Sequence, residues 1–282
     1  MPELPEVEAV CQVARRALRG RRIVSAQVLR GRVCAPQTAE EFARAVTRRQ
    51  FRAVERRGKN ILIHLDGVTL WVHLRMTGNL YAIADTRLRP ASVAAYLVLD
   101  NGRSLVFDDP RGLGVMRAIE TERLARALGP IGIDPLAPEF TPERFVALAR
   151  SSRAAIKLFL MDQRRVAGLG NIYAAEALYR ARVDPRSIGA RLSPARLRSL
   201  HAAIVAVLSD AIESASLAYQ RPGGFAEAEA FAPAVYGREG LRCRRCRERI
   251  RRIQQGGRST YFCPGCQSRS HHVRGTDRMR PG

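Results

Sequence analysis

Four of the six cysteines in this 282-residue chain fall in one pattern, Cys243-x2-Cys246-x16-Cys263-x2-Cys266. Two Cys-x-x-Cys pairs at this distance have the spacing of a tetrahedral structural zinc site. The surrounding stretch, 236–267, is rich in arginine and leaves little room for an apolar core, so metal is expected to drive its folding. Disulfide pairing is the alternative, but nothing in the sequence points to an oxidising compartment. The reading is one structural Zn2+ on Cys243, Cys246, Cys263 and Cys266, with Cys11 and Cys34 as reduced core thiols.

Charge sets the class of partner. Forty-eight Lys plus Arg stand against 26 Asp plus Glu, a formal net charge of +22. Such a field attracts a polyanion, nucleic acid first. An anionic membrane surface ranks second, since no basic amphipathic helix with exposed aromatics is found. No run of about 18 or more apolar residues occurs, so no membrane span is expected. No signal-peptide pattern opens the chain, which makes the cytoplasm the expected location. Only two of the cations are lysine, Lys59 and Lys157. An ammonium is a compact point charge that can give up a proton, whereas guanidinium does not deprotonate, so a lysine in so arginine-rich a chain is a candidate for chemistry.

Periodicity divides the chain. Residues 5–19 carry apolar positions at helical spacing up to Gly20. Strand-like runs follow at Ile23–Leu29, Phe51–Arg56, Ile61–Leu65, Thr69–Met76, Tyr96–Leu99, Leu105–Phe107 and Val115–Ile119. A Gly/Pro-rich stretch, 129–135, reads as a linker. Helical patterns then begin at Thr141-Pro142-Glu143 and cover about 153–162, 171–181 and 194–217, before a loop at 221–234. The expected domains are 1–134, 135–235 and 236–268, with a mobile polar tail at 269–282.

The opening, Met1-Pro2-Glu3-Leu4-Pro5-Glu6-Val7-Glu8, fits a capped helix start. It also fits a catalyst. Once Met1 is removed, Pro2 is a secondary amine that can attack a sugar's anomeric carbon and hold the product as an iminium ion. A carboxyl group beside it, Glu3, can protonate the opening ring.

Together these pieces resemble the formamidopyrimidine-DNA glycosylase family. The resemblance rests on the first eight residues, on Arg56-Arg57-Gly58-Lys59, on Leu74-Arg75-Met76-Thr77-Gly78, on Asp162-Gln163 with Val166-Ala167-Gly168-Leu169-Gly170-Asn171-Ile172-Tyr173-Ala174, and on Val235-Tyr236-Gly237-Arg238 ahead of the cysteines. It implies an α+β multidomain fold: an N-terminal β-sandwich flanked by helices, then a helical domain with a helix–two-turn–helix and a zinc β-ribbon. It implies excision of oxidised bases from double-stranded DNA, followed by strand cleavage at the abasic site, by a monomer.

The resemblance assigns roles residue by residue. Pro2 is the nucleophile, Glu3 its acid/base partner, and Glu6 holds the helix start. Lys59 sits on the family's lysine strand and binds phosphate near the lesion, and Arg258 grips phosphate from the ribbon tip. Met76, Arg111 and Leu113 fill the gap left by the extruded base. Arg153, Lys157, Asn171 and Tyr236 are DNA contacts, with Asn171 donating to phosphate. Leu113 stands where the family has an aromatic, a family histidine ahead of Tyr96 is missing, and Ser214–Tyr219 lacks the Thr-rich start of a lesion-capping loop. These departures open the choice between 8-oxoguanine or formamidopyrimidines and hydantoins or oxidised pyrimidines, the latter as in Nei-like relatives. Two other readings are a non-catalytic binder of damaged DNA and a tautomerase-like enzyme using Pro2 as a base. Intact Pro2, Glu3 and Lys59 oppose the first; the charge and the zinc motif oppose the second.

Overall fold

The computed structural model describes residues 2–218 and 231–268. The expected capping loop and the C-terminal tail fall largely or wholly outside these residues.

Helix α1 (Leu4–Leu18) leads into β1 (Ile23–Val28), α2 (Ala39–Val46), β2 (Phe51–Arg57), β3 (Asn60–Leu65), β4 (Val68–His73), β5 (Asn79–Ile83), β6 (Val93–Leu99), β7 (Ser104–Asp108) and β8 (Val115–Glu120). The strands form two four-stranded antiparallel sheets, ordered β1-β6-β7-β5 and β2-β3-β4-β8. Alternation along β3 turns Ile61, Ile63 and Leu65 inward, where they meet Leu97, Leu105 and Phe107 of the other sheet and Val7, Val10, Cys11 and Ala14 of α1. This is the expected β-sandwich flanked by helices.

Two elements of the sandwich were not expected from the sequence. Helix α2 is short, but Thr38 and Glu41 close a reciprocal capping box at its start, and Phe42 and Val46 anchor it to the core. Strand β5 runs antiparallel to β7, from Asn79↔Asp108 to Ile83↔Ser104. The expected strand 69–76 ends at His73, so Met76 lies in a turn.

After α3 (Leu124–Leu128), the Gly/Pro-rich stretch is pinned in place. Gly132 N–H donates to the Gln163 carbonyl at 2.8 Å, and Ile133 exchanges backbone bonds with Arg165 and Ala167. Helices α4 (Pro142–Arg150), α5 (Ile156–Met161), α6 (Asn171–Arg180) and α7 (Pro194–Ala218) enclose a second core around Phe145, Phe159, Leu178, Leu197, Ile204 and Leu208. By length and composition alone α7 could cross a membrane, with a mean hydropathy of 1.4 over its most apolar window. Here it is a core helix: Leu197, Leu200, Ile204 and Leu208 face the helical core, and Ala215 reaches the sandwich core.

The last unit is a hairpin of β9 (Arg251–Gln255) and β10 (Arg258–Phe262), joined by Gly256-Gly257. Both glycines have positive φ, +54° and +73°, as a two-residue turn of this hand requires. The ribbon leans on α6 through Ala175, Tyr179, Val235, Ile250 and Cys263. Glu176, buried on α6, accepts the backbone N–H groups of Ala234, Val235 and Tyr236, each at 2.9 Å. Glu176→Ala strands three donors at this junction. It is expected to cost about 3 kcal/mol, read as a lower urea midpoint, while Glu176→Gln retains part of the stability.

Candidate active site at the junction of the two halves

The site forms where residue 3 meets residues 168–173. Glu3 is buried, and its carboxylate accepts the backbone N–H groups of Gly170 at 2.8 Å, Ile172 at 3.0 Å and Tyr173 at 3.3 Å. The first turn of α6 is a ready anion site, and the chain's own carboxylate fills it. Leu4 N–H adds a bond to the Gly168 carbonyl at 3.1 Å. Pro2 is thereby held, buried, at the start of this junction.

The glycines of the Gly168-Leu169-Gly170 turn make the approach possible. A β-carbon at Gly170 would collide with the Glu3 carboxyl group and lie 2.7 Å from Lys59 Nζ. One at Gly168, where φ is +87°, would meet Leu4 at 2.8 Å.

Lys59 is not on a strand as expected. It occupies the two-residue turn between β2 and β3, after Gly58 at φ +58°. Arg56 secures that hairpin by donating to Glu8 at 2.9 Å and to Asp134 at 2.6 Å, which ties α1, β2 and the interdomain stretch together. Lys59 itself is nearly buried, and burial lowers its pKa; Glu3 opposes this and Arg258 adds to it. Arg258, first residue of β10 and exposed, thus comes near Lys59 from the ribbon, as its expected role requires.

His73 is a residue that the sequence reading passed over. Its Nδ1 accepts the Arg75 N–H at 3.0 Å, which leaves the ring hydrogen on Nε2. Burial first, then Arg75 and Lys59, push its pKa down to about 4, so it is a neutral donor beside two cations. Its only sequence signal was adjacency to Leu74-Arg75-Met76.

Glu6 does hold the helix start: its Oε2 accepts the Glu3 N–H at 2.8 Å, and the Tyr173 hydroxyl donates to Oε1. Burial raises its pKa to about 7, against the pull of those two donors and with a further push from Glu3.

Two residues expected at the DNA, Lys157 and Asn171, are joined to β10. Lys157 is fully buried, and its ammonium donates to Asn171 Oδ1 at 2.5 Å, Thr260 Oγ1 at 2.6 Å and the Ser259 carbonyl at 3.2 Å. These three bonds tie α5 and α6 to β10. Burial, then Arg258, lower its pKa to about 8. Asn171 donates to the Ser259 carbonyl at 2.9 Å, which leaves one amide hydrogen for phosphate. The backbone N–H groups of Gly170, Ile172 and Tyr173 there are taken up by Glu3. Tyr236 is half-buried, its ring edge-on to Tyr261 at 5.1 Å, and Arg153 is exposed between α4 and α5.

The residues expected to fill the gap lie on two turns. Met76 and Leu113 are 39% and 37% exposed, and Arg111 is exposed beside them. Buried Asp109 joins their turns: it accepts Thr77 Oγ1 and Gly114 N–H, both at 2.6 Å, and Thr77 Oγ1 accepts Arg111 N–H at 3.2 Å. Gly78 is required because a β-carbon there would strike the Leu74 carbonyl.

The four ribbon sulfurs lie within 4.8 Å of one another, with Cys243–Cys266 at 3.8 Å and Cys246–Cys263 at 3.3 Å. All four cysteines are free of disulfides. Zn–S bonds of about 2.3 Å in a tetrahedron give edges of about 3.8 Å, so this set fits and holds one structural Zn2+.

Two outcomes follow. Gly170→Ala should lower turnover at least about 100-fold, since an ångström of misplacement at reacting groups costs that much, with zinc content unchanged. For Glu6, the folded state holds the proton more tightly than the unfolded chain. Its contribution is therefore greatest below the ordinary value of 4.5 and is lost as pH rises to about 7. Urea midpoints of wild type should accordingly fall relative to Glu6→Gln across that window.

The sequence matches the family profiles described as "Formamidopyrimidine-DNA glycosylase N-terminal domain" over residues 1–116, "Formamidopyrimidine-DNA glycosylase H2TH domain" over 131–221 and "Zinc finger found in FPG and IleRS" over 240–269. It is 41% identical over 271 residues to a formamidopyrimidine-DNA glycosylase of Chloroflexus aurantiacus, covering 95% of this chain and 98% of that one. A Geobacter sulfurreducens relative of the same name is 39% identical, with 95% and 100% covered. In three dimensions it is similar to Lactococcus lactis Fpg non-covalently bound to DNA with an AP site, at TM-score 0.84, 29% identity, and 95% and 100% coverage. A MutM complex with DNA containing carbocyclic 8-oxo-G gives 0.83 and 30%, with the same coverage. Three profile matches in chain order, relatives alike from end to end, and a fold that brings residue 3 onto the first turn of α6 show that the chain belongs to the formamidopyrimidine-DNA glycosylase family.

Proposed function

We propose that this protein acts in base-excision repair as a bifunctional DNA glycosylase and abasic-site lyase. Its substrates are oxidised purines, 8-oxoguanine and formamidopyrimidines, in duplex DNA, and it works as a monomer in the bacterial cytoplasm. The observation that carries this reading is the anchoring of the Pro2–Glu3 end into α6, beside a pair of cations contributed by opposite halves of the molecule, Lys59 and Arg258.

The Pro2 nitrogen lone pair forms a bond to the anomeric carbon as the bond to the base breaks, and the base leaves with a proton. The proton shed by the Pro2 nitrogen passes to the Glu3 carboxylate, which returns it to the sugar oxygen as the ring opens, and nitrogen and carbon become an iminium ion. The iminium withdraws electrons from the adjacent carbon, whose proton is lost. The 3′ phosphate then leaves in β-elimination and the 5′ phosphate in δ-elimination. Lys59, Arg258, the remaining Asn171 amide hydrogen and the neutral His73 donor supply positive charge and hydrogen bonds for those phosphates. Lys59, with its lowered pKa, is also better able than Arg258 to part with a proton. Met76 and Leu113 occupy the stack vacated by the extruded nucleotide, and Arg111 offers donors to the unpaired base opposite. Zinc keeps the ribbon folded and takes no part in the bond changes.

Borohydride trapping tests this. Wild type should form a covalent adduct on duplexes carrying 8-oxoguanine opposite cytosine and on abasic duplexes, and Pro2→Gly should lose most capture on both. Capture on the abasic duplex alone would keep the lyase and move the lesion to hydantoins or oxidised pyrimidines. Intact DNA binding with no capture by protein lacking Met1 would leave the non-catalytic binder.

A further inference from the structure

Helix α6 reaches the zinc ribbon through a residue with no part in the chemistry above. Tyr179 lies two turns beyond Tyr173, is almost fully buried, and points its hydroxyl at Cys243 Sγ, 3.3 Å away. A buried tyrosine hydroxyl requires a hydrogen-bond partner, and among the described residues Cys243 Sγ is the one it meets. A cysteine that ligates zinc is a thiolate with no proton to give, so the tyrosine is the donor. Arg245, two residues past Cys243, folds back over the same ring, its guanidinium 4.4 Å from the ring centroid. It also donates to the Tyr179 carbonyl at 2.9 Å, and its backbone N–H lies 3.4 Å from Cys243 Sγ. The metal-bearing loop is therefore held on α6 at the face of one aromatic ring and at its hydroxyl.

We infer that Tyr179 is a positioning residue of the zinc centre, its hydroxyl donating to the Cys243 thiolate and its ring, clasped by Arg245, fixing the Cys243–Cys246 loop on α6. Groups that hydrogen-bond metal ligands orient them and tune the metal, and their loss typically costs about 10–100-fold in metal affinity. A phenylalanine at 179 fills the same space and keeps the stack with Arg245, so it removes the hydrogen bond alone. The inference rests on the structural zinc described above.

The test uses the full-length zinc-loaded protein. Wild type is first shown to contain one zinc per chain. Wild type and Tyr179→Phe are then mixed with excess chelating indicator, and the cobalt-substituted forms are compared by absorption. The variant should release zinc about 10–100-fold faster. Its sulfur-to-cobalt charge-transfer band should move to longer wavelength, because a thiolate that loses a donor holds its electrons less tightly. Equal release rates with an unshifted band would overturn the inference while leaving the zinc centre standing. Wild type without zinc would overturn the centre and the inference with it. Faster release with an unmoved band would assign the effect to packing and overturn the hydrogen bond.

Discussion

The whole arrangement depends on one carboxylate seated on one helix. Glu3 takes the N–H groups of Gly170, Ile172 and Tyr173, residues nearly 170 positions away. Burying an unpaired carboxylate would cost several kcal/mol; three backbone donors and the positive end of α6 offset that cost. The bond fixes more than stability. It sets the position of Pro2 against Lys59, and it requires glycine at 168 and 170, because side chains there would occupy the space of Leu4 and Glu3. An amine that must meet one carbon atom of an extruded sugar cannot sit on a fraying terminus. The chain instead folds its first residues into the middle of the molecule.

Helix α6 is the beam that links the separate parts. Its first turn holds Glu3, Tyr173 bonds Glu6, Glu176 grips the backbone entering the ribbon, and Tyr179 meets a zinc ligand. At its start Asn171, with Lys157, fastens β10 close to Arg258. A ten-residue helix thus positions groups from both ends of the sequence.

What could be read from the sequence was what is local. The cysteine spacing, the turn glycines, the apolar periodicity of α1 and α7 and the alternation in β3 all act within a few residues, and each led to the right element. The omissions share a cause. The capping box of α2 was visible in Thr38 and Glu41, but the helix is too short for periodicity to stand out. Strand β5 is defined by its partner β7, which sequence does not pair. Lys157 was singled out as one of two lysines, yet its role depends on acceptors about 100 residues away. His73 became legible only once its ring was seen with one nitrogen occupied and two cations nearby.

The charge distribution at the junction explains why those cations stay where they are. Lys59 and Arg258 face one another with Glu3 as the nearest counter-charge, and Glu3 is already committed to α6. Gathering cations in a partly buried site opposes folding. Satisfying each with its own acid would remove that cost and also remove the affinity for phosphate. Holding His73 neutral avoids a further positive charge while keeping a donor. Glu6 helps from the other side, since its raised pKa keeps a buried carboxyl largely uncharged at mildly acidic pH, so it competes less with the phosphate for these cations. The repulsion left in the free protein is relieved when a phosphate arrives, so part of the binding energy for DNA is stored in the fold. On the proposed mechanism, the groups that stabilise departing phosphates are in place before the substrate, which is where electrostatic catalysis gains most.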